Sequence, residues 1–407
     1  MKSTKKHMLV ALIALLALVA AACGSDATDV VADAADDVAD AADDAVDAVD
    51  DAADDAMDEV EDAVDDAMDE VSMPGEGKSG NMGRANWSTG YSHAQVLHDL
   101  LEELGYDISS PDALEFAPDL AYQTMAVGDM DFWANSWYPG HLSWFTGDLP
   151  DGTTIGENLE RIEGSGMPKA GLQGLLVTKS WADAEGIGTL EDINNNPDLV
   201  AALDTDGNGK GEIYGCPEDW TCDDIIASQI VFGGWDNIEQ TQAGYDAMFA
   251  DFLGKVNNDE PAIMYTWAPT QYLAQAIPGQ NVMWLSQEAV LDDSNPLGIP
   301  GGEEYAQGEG FTALGEDTCT QGPSGCQTGW VGADIEVTAN KAWLEDNPAA
   351  RALFEVFNPP IIDVAIMDQQ RAATDGAQAD IETIAANWIA ANRDLVDGWL
   401  EVARAAG

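Results

Sequence analysis

The stretch "NMGRANWSTGYSHAQVLHDLLEELGY", Asn81 to Tyr106, changes period part-way along. It opens as a strand and loop, then sets Val96, Leu97, Leu100, Leu101 and Leu104 on one helical face, with Gly105 as the stop. A short strand near Leu114 to Phe116, a helix near Leu120 to Val127 and the strand "DMDFWANSW" follow. The pattern resumes after "GLQGLLVTKS" with helices, loops and the strand "PAIMYTW", and it closes with helices from Lys341 to Phe357 and from Asp380 to the C terminus. Strands alternating with helices predict an α/β fold built on a mainly parallel, doubly wound sheet. From Gly75 onward the chain is long enough for two lobes.

What precedes Gly75 reads differently. Met1 to Lys6 carries three lysines, Met8 to Ala22 is almost wholly apolar, and "AAAC" ends at Cys23. An apolar run of about 15 residues is too short for an ordinary membrane span, so residues 1–22 read as an export signal. A Cys directly after small residues resembles a bacterial lipobox, which makes Cys23 the expected lipid-modified first residue. A plain secretory signal is the rival, because Ala20 stands where such boxes carry Leu. The sequence thus predicts an extracytoplasmic protein, held to the outer face of the cytoplasmic membrane by lipid alone.

The chain has a formal net charge of -60, and the charge is uneven. From Asp26 to Val71 it contains no Lys, Arg or aromatic residue, and "VADAADD" occurs at both Val31 and Val38. Apolar residues such as Met57, Val60, Val64, Ala67 and Val71 return at three and four spacing, yet unscreened like charge opposes a helix. Residues 23–74 therefore read as a solvated acidic tether, partly helical at most. It would span roughly 75 Å as a helix and up to about 160 Å if extended. The acidic balance of the remainder argues against a nucleic-acid partner, which would need Lys and Arg.

Export puts Cys216, Cys222, Cys319 and Cys326 in an oxidising compartment, where four cysteines allow three pairings. Local pairing of Cys216 with Cys222 and Cys319 with Cys326 is the simplest, and such short loops give about 2 kcal/mol each. A zinc site is the rival, but neither pair has CxxC spacing and no His is near in sequence. Walker A, GxGxxG, GxSxG and HExxH patterns are absent, and His93 and His98 are five apart on one helix, a poor spacing for one metal. No cofactor or metal is expected, and no enzymatic activity.

Two strands end alike. "ANSWYPGH" sets Trp137 two residues before Pro139, and "MYTWAPTQ" sets Trp267 two before Pro269. Pro opens a turn or helix without cost, which leaves both indoles at carboxyl ends of strands, the ligand-binding edge of open α/β sheets. Packing of the strand end is the plainer alternative. "YGCPEDWTCDDIIASQ" adds Trp220 directly before a helix whose start, with Thr221 and Asp224 three apart, matches a capping box. The first N–H groups of that helix, at Thr221 and Cys222, are free donors at a positive dipole end. Electron-rich rings suit a quaternary ammonium, which cannot donate hydrogen bonds; three such contacts supply several kcal/mol at about 1 to 2 each. Helix-end donors suit a carboxylate.

"LDTDGNGKGEIYGCPEDWTC", "MYTWAPTQYLAQAIPGQNVMWL", "LLEELGYDI", "NSWYPGH" and "VTANKAW" resemble stretches of the glycine betaine and proline betaine binding proteins of osmoprotectant ABC importers. The likeness runs from about Ser79 to Ala403. It implies a two-lobed type II periplasmic-binding fold, with lobe one at 75–178 and again at 334–407, and lobe two at 179–333. It also implies a trimethylammonium cage of Trp137, Trp220 and Trp267, carboxylate contacts at His141 and at the backbone of Thr221 and Cys222, a ligand-loop disulfide between Cys216 and Cys222, and a monomer whose partner is an ABC permease. Thr221 departs from the family's Gly at that position. Cys319 with Cys326 and the acidic tether have no counterpart. Trp87, Trp133 and Trp144 read as core or rim.

Three other functions remain to be weighed. A binding protein for choline or carnitine would share the cage, although choline would leave the helix-end donors and His141 unused. An enzyme acting on trimethylammonium compounds would need a reactive group in the cage, where only His141 is available. A calcium-dependent surface protein would use the acidic tract and "DTDGNGKGE", Asp204 to Glu212, which has oxygens at alternate positions. The twelfth position of that loop is Gly215 rather than Glu, so a tight turn between two strands is the favoured reading.

Overall fold

The structure is a computed structural model that describes residues 73–288 and 311–407. The expected signal peptide, the Cys23 lipidation site and the tether to residue 72 lie outside the described residues.

Asn81 to Tyr106 folds as its pattern predicts. Met82–Ala85 is a strand and Ser88–Glu103 a helix that buries Val96, Leu97, Leu100 and Leu101. The helix begins at Ser88, and Gly90 lets it press onto the strand; a Cβ there would stand 2.6 Å from that of Ala85. Gly105, at φ +87, ends it.

The main sheet has nine strands among the described residues. In spatial order they are Glu115–Phe116, Met82–Ala85, Phe132–Tyr138, Ala333–Asn340, Leu159–Thr178, Ile263–Ala268, Gly211–Tyr214 and Ile238–Thr241, with Val282–Leu285 also paired to Leu159–Thr178. The two outer wings are parallel, as the alternating pattern predicts. The strands that join them are antiparallel, so the sheet as a whole is mixed.

Leu159–Thr178, twenty residues long, does the joining. Its first part pairs with Ala333–Asn340 as far as Gly171, and its last seven residues pair with Ile263–Ala268 and Val282–Leu285. Helices cover the wings, and the C-terminal ones, Pro348–Val356, Gln378–Ala391 and Arg393–Ala406, return to the first wing, where Glu103 pairs with Arg393. Two breaks differ from expectation: Pro348 divides the Lys341 helix, and Asn392 divides the last one.

Both disulfides form as local pairs, Cys216–Cys222 and Cys319–Cys326, with Cα atoms 5.9 and 6.0 Å apart. No sulfur of these four is left for zinc. The second bridge fastens a loop that hydrogen-bonds along Val282–Leu285 through Thr318 and Thr320. In the Asp204 loop, the Asp204 carboxylate accepts from the N–H groups of Gly207, Asn208 and Gly209. That is a tight turn as expected, but it joins the helix Pro197–Leu203 to the strand Gly211–Tyr214 and not two strands.

Candidate functional site

A cavity of about 40 Å³ lies between the wings. At roughly 10–15 Å³ of such space per water, it has room for more than one water-sized group. All six residues expected at the ligand site, Trp137, His141, Trp220, Thr221, Cys222 and Trp267, line it. Trp87, Gln173, Ile225 and Tyr265 join them, and no Asp, Glu, Lys or Arg is in the lining.

Each wall is set by its element. Trp137 is the penultimate residue of Phe132–Tyr138 and opposes Ile335 across the sheet. Its ring lies against Gly171, where a Cβ would approach Cζ3 to 2.7 Å, so only glycine leaves it room. Trp267, on Ile263–Ala268, opposes Gln173 of the long strand. After each of these strands the chain turns at Pro139 or Pro269, both preceded by cis peptide bonds. Trp220 is the N-cap residue of the helix Thr221–Gly233, on the loop closed by Cys216–Cys222.

Trp220 and Trp267 meet edge to face, with centroids 5.5 Å apart at 76°, and form one corner of the cavity. Tyr245 stacks behind Trp220 at 5.6 Å and 19°, while Trp220 Nε1 donates across the cleft to Asn86 Oδ1 at 2.9 Å. This indole, half-buried and loop-borne, is thereby fixed on three sides: by the disulfide, by Tyr245 and by Asn86.

The helix starts at Thr221 as expected, but the capping box does not form. Thr221 Oγ1 is instead occupied by Trp144 Nε1, which donates to it across the cleft at 2.9 Å. The backbone N–H groups of Thr221 and Cys222, in the first turn, have no intrahelical acceptor by position. Asp223 does not line the cavity; its carboxylate is engaged by Gln240 and Gln242, and burial pushes its pKa up to about 6.

His141 sits in the turn Gly140–Thr146. Its Nδ1 accepts from the Trp137 N–H at 3.2 Å and lies 2.9 Å from the Tyr122 hydroxyl. A backbone N–H can only donate, so the ring proton is on Nε2. Burial pushes the imidazole down to about 3, which keeps it neutral. The site therefore offers aromatic faces at one part and three N–H donors, from His141, Thr221 and Cys222, at another.

The family model for the substrate binding domain of the ABC-type glycine betaine transport system matches residues 81–391. The chain belongs to that family. It is 28% identical over 335 residues to the glycine betaine-binding periplasmic protein OusX of Dickeya dadantii, covering 82% of this chain and 92% of that one. It is 27% identical over 343 residues to the glycine betaine/proline betaine-binding periplasmic protein of Escherichia coli K12, covering 83% and 93%. Among solved structures it resembles an ABC-transporter choline binding protein in complex with choline, with TM-score 0.57, 16% identity and coverage of 81% of this chain and 96% of that one. It also resembles lactococcal OpuAC complexed with glycine betaine, with TM-score 0.55, 17% identity and coverage of 79% and 99%. These structures share the fold, the two-lobed type II periplasmic-binding architecture.

Some lining residues had no sequence signal. Gln173 and Tyr265 lie on neighbouring strands and join through the Tyr265 hydroxyl at 2.8 Å, a pairing fixed by register. Trp87, expected in core or rim, lines the cavity, and a signal existed: it follows the carboxyl end of Met82–Ala85, the same sheet edge that carries the other indoles. Trp133 is core, and Trp144 is rim.

Proposed function

We propose that this protein captures glycine betaine, or a related betaine such as proline betaine, outside the cytoplasm and delivers it to an ABC permease. Trp137, Trp220 and Trp267 surround the trimethylammonium group; His141 Nε2–H and the N–H groups of Thr221 and Cys222 receive the carboxylate. The observation that carries the reading is a small cavity lined by indoles from both wings and by no ionised side chain. A buried net charge without a partner is costly, so such a cavity suits a zwitterion of zero net charge. Choline and its uncompensated positive charge suit it less. The reading involves binding and release alone, with no covalent step.

In this reading the body forms two lobes, 75–178 with 334–407 and 179–333, and the ligand draws them together by contacting both. The closed form is what the permease reads. Lipid on Cys23 holds the acidic tether to the membrane, and the protein acts as a monomer. Among the described residues no helix is long and apolar enough to cross a membrane.

The test is a thermal-melt panel with glycine betaine, proline betaine, carnitine and choline. The melting temperature should rise with the betaines first; a response to choline alone would overturn the assignment of the carboxylate end. Replacing Cys23 by Ala and following detergent partitioning tests the anchor, with retention in the detergent phase as the contrary result.

A further inference from the structure

Behind the cavity wall, one side chain joins two indoles. Asn135 is fully buried and two residues before Trp137, so both side chains point to the same face of the strand. Its Oδ1 accepts from Trp137 Nε1 at 2.8 Å and from Trp87 Nε1 at 2.8 Å. Indole N–H groups only donate, so the amide orientation is forced, and the two lone pairs of the oxygen are both used. Asn135 Nδ2 then faces His93 Nδ1 at 3.0 Å. Burial pushes His93 down to about 3, so the ring stays neutral and that nitrogen remains an acceptor.

Trp87 is therefore not a loose rim residue. Its ring stands 5.6 Å from Trp220 at 68° and 6.1 Å from His141 at 80°, filling the corner between the aromatic walls and the carboxylate donors. Trp133 backs it at 5.6 Å. Turning either Trp87 or Trp137 would strand a buried indole N–H and half of the Asn135 oxygen, each at the cost of its desolvation.

We propose that Trp87 is a fourth ligand-facing wall and that Asn135 is the positioning residue that registers it against Trp137, narrowing the site to fully methylated ammonium groups. This rests on the betaine reading above. An ammonium that keeps an N–H needs an acceptor to replace water, and an aromatic face offers no full lone pair in exchange. A fourth face extends that penalty around the head group. It leaves attraction to an all-methyl shell intact.

The experiment is calorimetric titration of the full chain with glycine betaine and with dimethylglycine, which has one N–H at the same nitrogen. Wild type, W87L, N135L and N135D are compared, with thermal melts to establish folding. N135D keeps the oxygen that both indoles need and meets His93 Nδ1 with a single shared proton. Wild type should prefer glycine betaine. W87L and N135L should each lose about tenfold in betaine affinity and most of the preference, while N135D restores both. A merely structural role would lower the melting temperature and leave the ratio of the two ligands unchanged, which would overturn the proposal. So would N135D behaving like N135L. If wild type binds neither ligand, the betaine reading itself fails; if wild type binds and W87L and N135L bind alike with the same preference, only the fourth wall fails.

Discussion

The two disulfides allow a matched comparison, because they close loops of nearly equal length with unequal duties. Cys216 and Cys222 are separated by 6 positions and Cys319 and Cys326 by 7. The chain-entropy model gives each about 2 kcal/mol, which for a body of this size lowers the melting temperature by roughly 3 °C when either is removed. Only the first loop carries a cavity wall. Without it, ligand binding must order one or two residues around Trp220, at about 1–2 kcal/mol each, and Kd for glycine betaine should weaken about tenfold or more. The partners of Trp220, Asn86 and Tyr245, keep the loss from being total. Differential scanning calorimetry and isothermal titration of C216A/C222A and C319A/C326A separate the two effects. Equal loss of affinity in both double variants, or a melting shift in C216A/C222A with Kd unchanged, would refute the idea that the staple holds a cage wall still.

Burial keeps His141 neutral down to about pH 3, so betaine affinity should stay level from pH 8 to pH 5 in titrations at each pH; tightening below pH 6.5 would mean that an imidazolium forms. The same burial has a stability consequence at His93. Between its ordinary value of 6.5 and about 3 the unfolded chain takes up a proton that the native state refuses, so this group removes stability as pH falls through that window. H93Q should flatten the fall of melting temperature between pH 6.5 and 4, and an unchanged slope would contradict the assignment. H141F removes one donor to a carboxylate and should weaken glycine betaine by about 10- to 100-fold, with choline little affected; equal loss of both would count against a carboxylate contact. W144F deletes the bond from Trp144 to Thr221 across the cleft. About 1 kcal/mol for a neutral hydrogen bond predicts a Kd about fivefold weaker by titration, and no change would mean that the bond plays no part in closure.

Much of this is legible in the sequence alone. The apolar stripe from Val96 to Leu104, the Trp-x-Pro strand ends and the cysteine-bounded Trp220 all carry their information locally, in periodicity, in turn chemistry or in short-range spacing. What escaped is non-local. The strand Leu159–Thr178 contains Pro168, together with Gly164, Gly166 and Lys169 at positive φ, and its register against Ala333–Asn340 shifts twice. No alternation survives such interruptions, so the element that joins the two wings cannot be read from its own residues. The helix Ile361–Ala372 was missed for a related reason: Ile361, Ile362 and Ile366 are exposed, which blurs its apolar face. At the site, Thr221 shows how tertiary contact overrides a local motif. Its hydroxyl fits a capping box on paper, yet Trp144, 77 positions away, takes it. Asn135 likewise reads as an ordinary polar strand residue until Trp87 arrives from another segment to share its oxygen.

The most direct test of the central claim is isothermal titration of the protein with glycine betaine, run beside choline and repeated with W220A. Saturable micromolar binding of glycine betaine, weaker binding of choline and loss of about tenfold or more in W220A are the predicted results. Undiminished binding in W220A, or no binding of either compound by folded protein, would contradict a cage built around that indole.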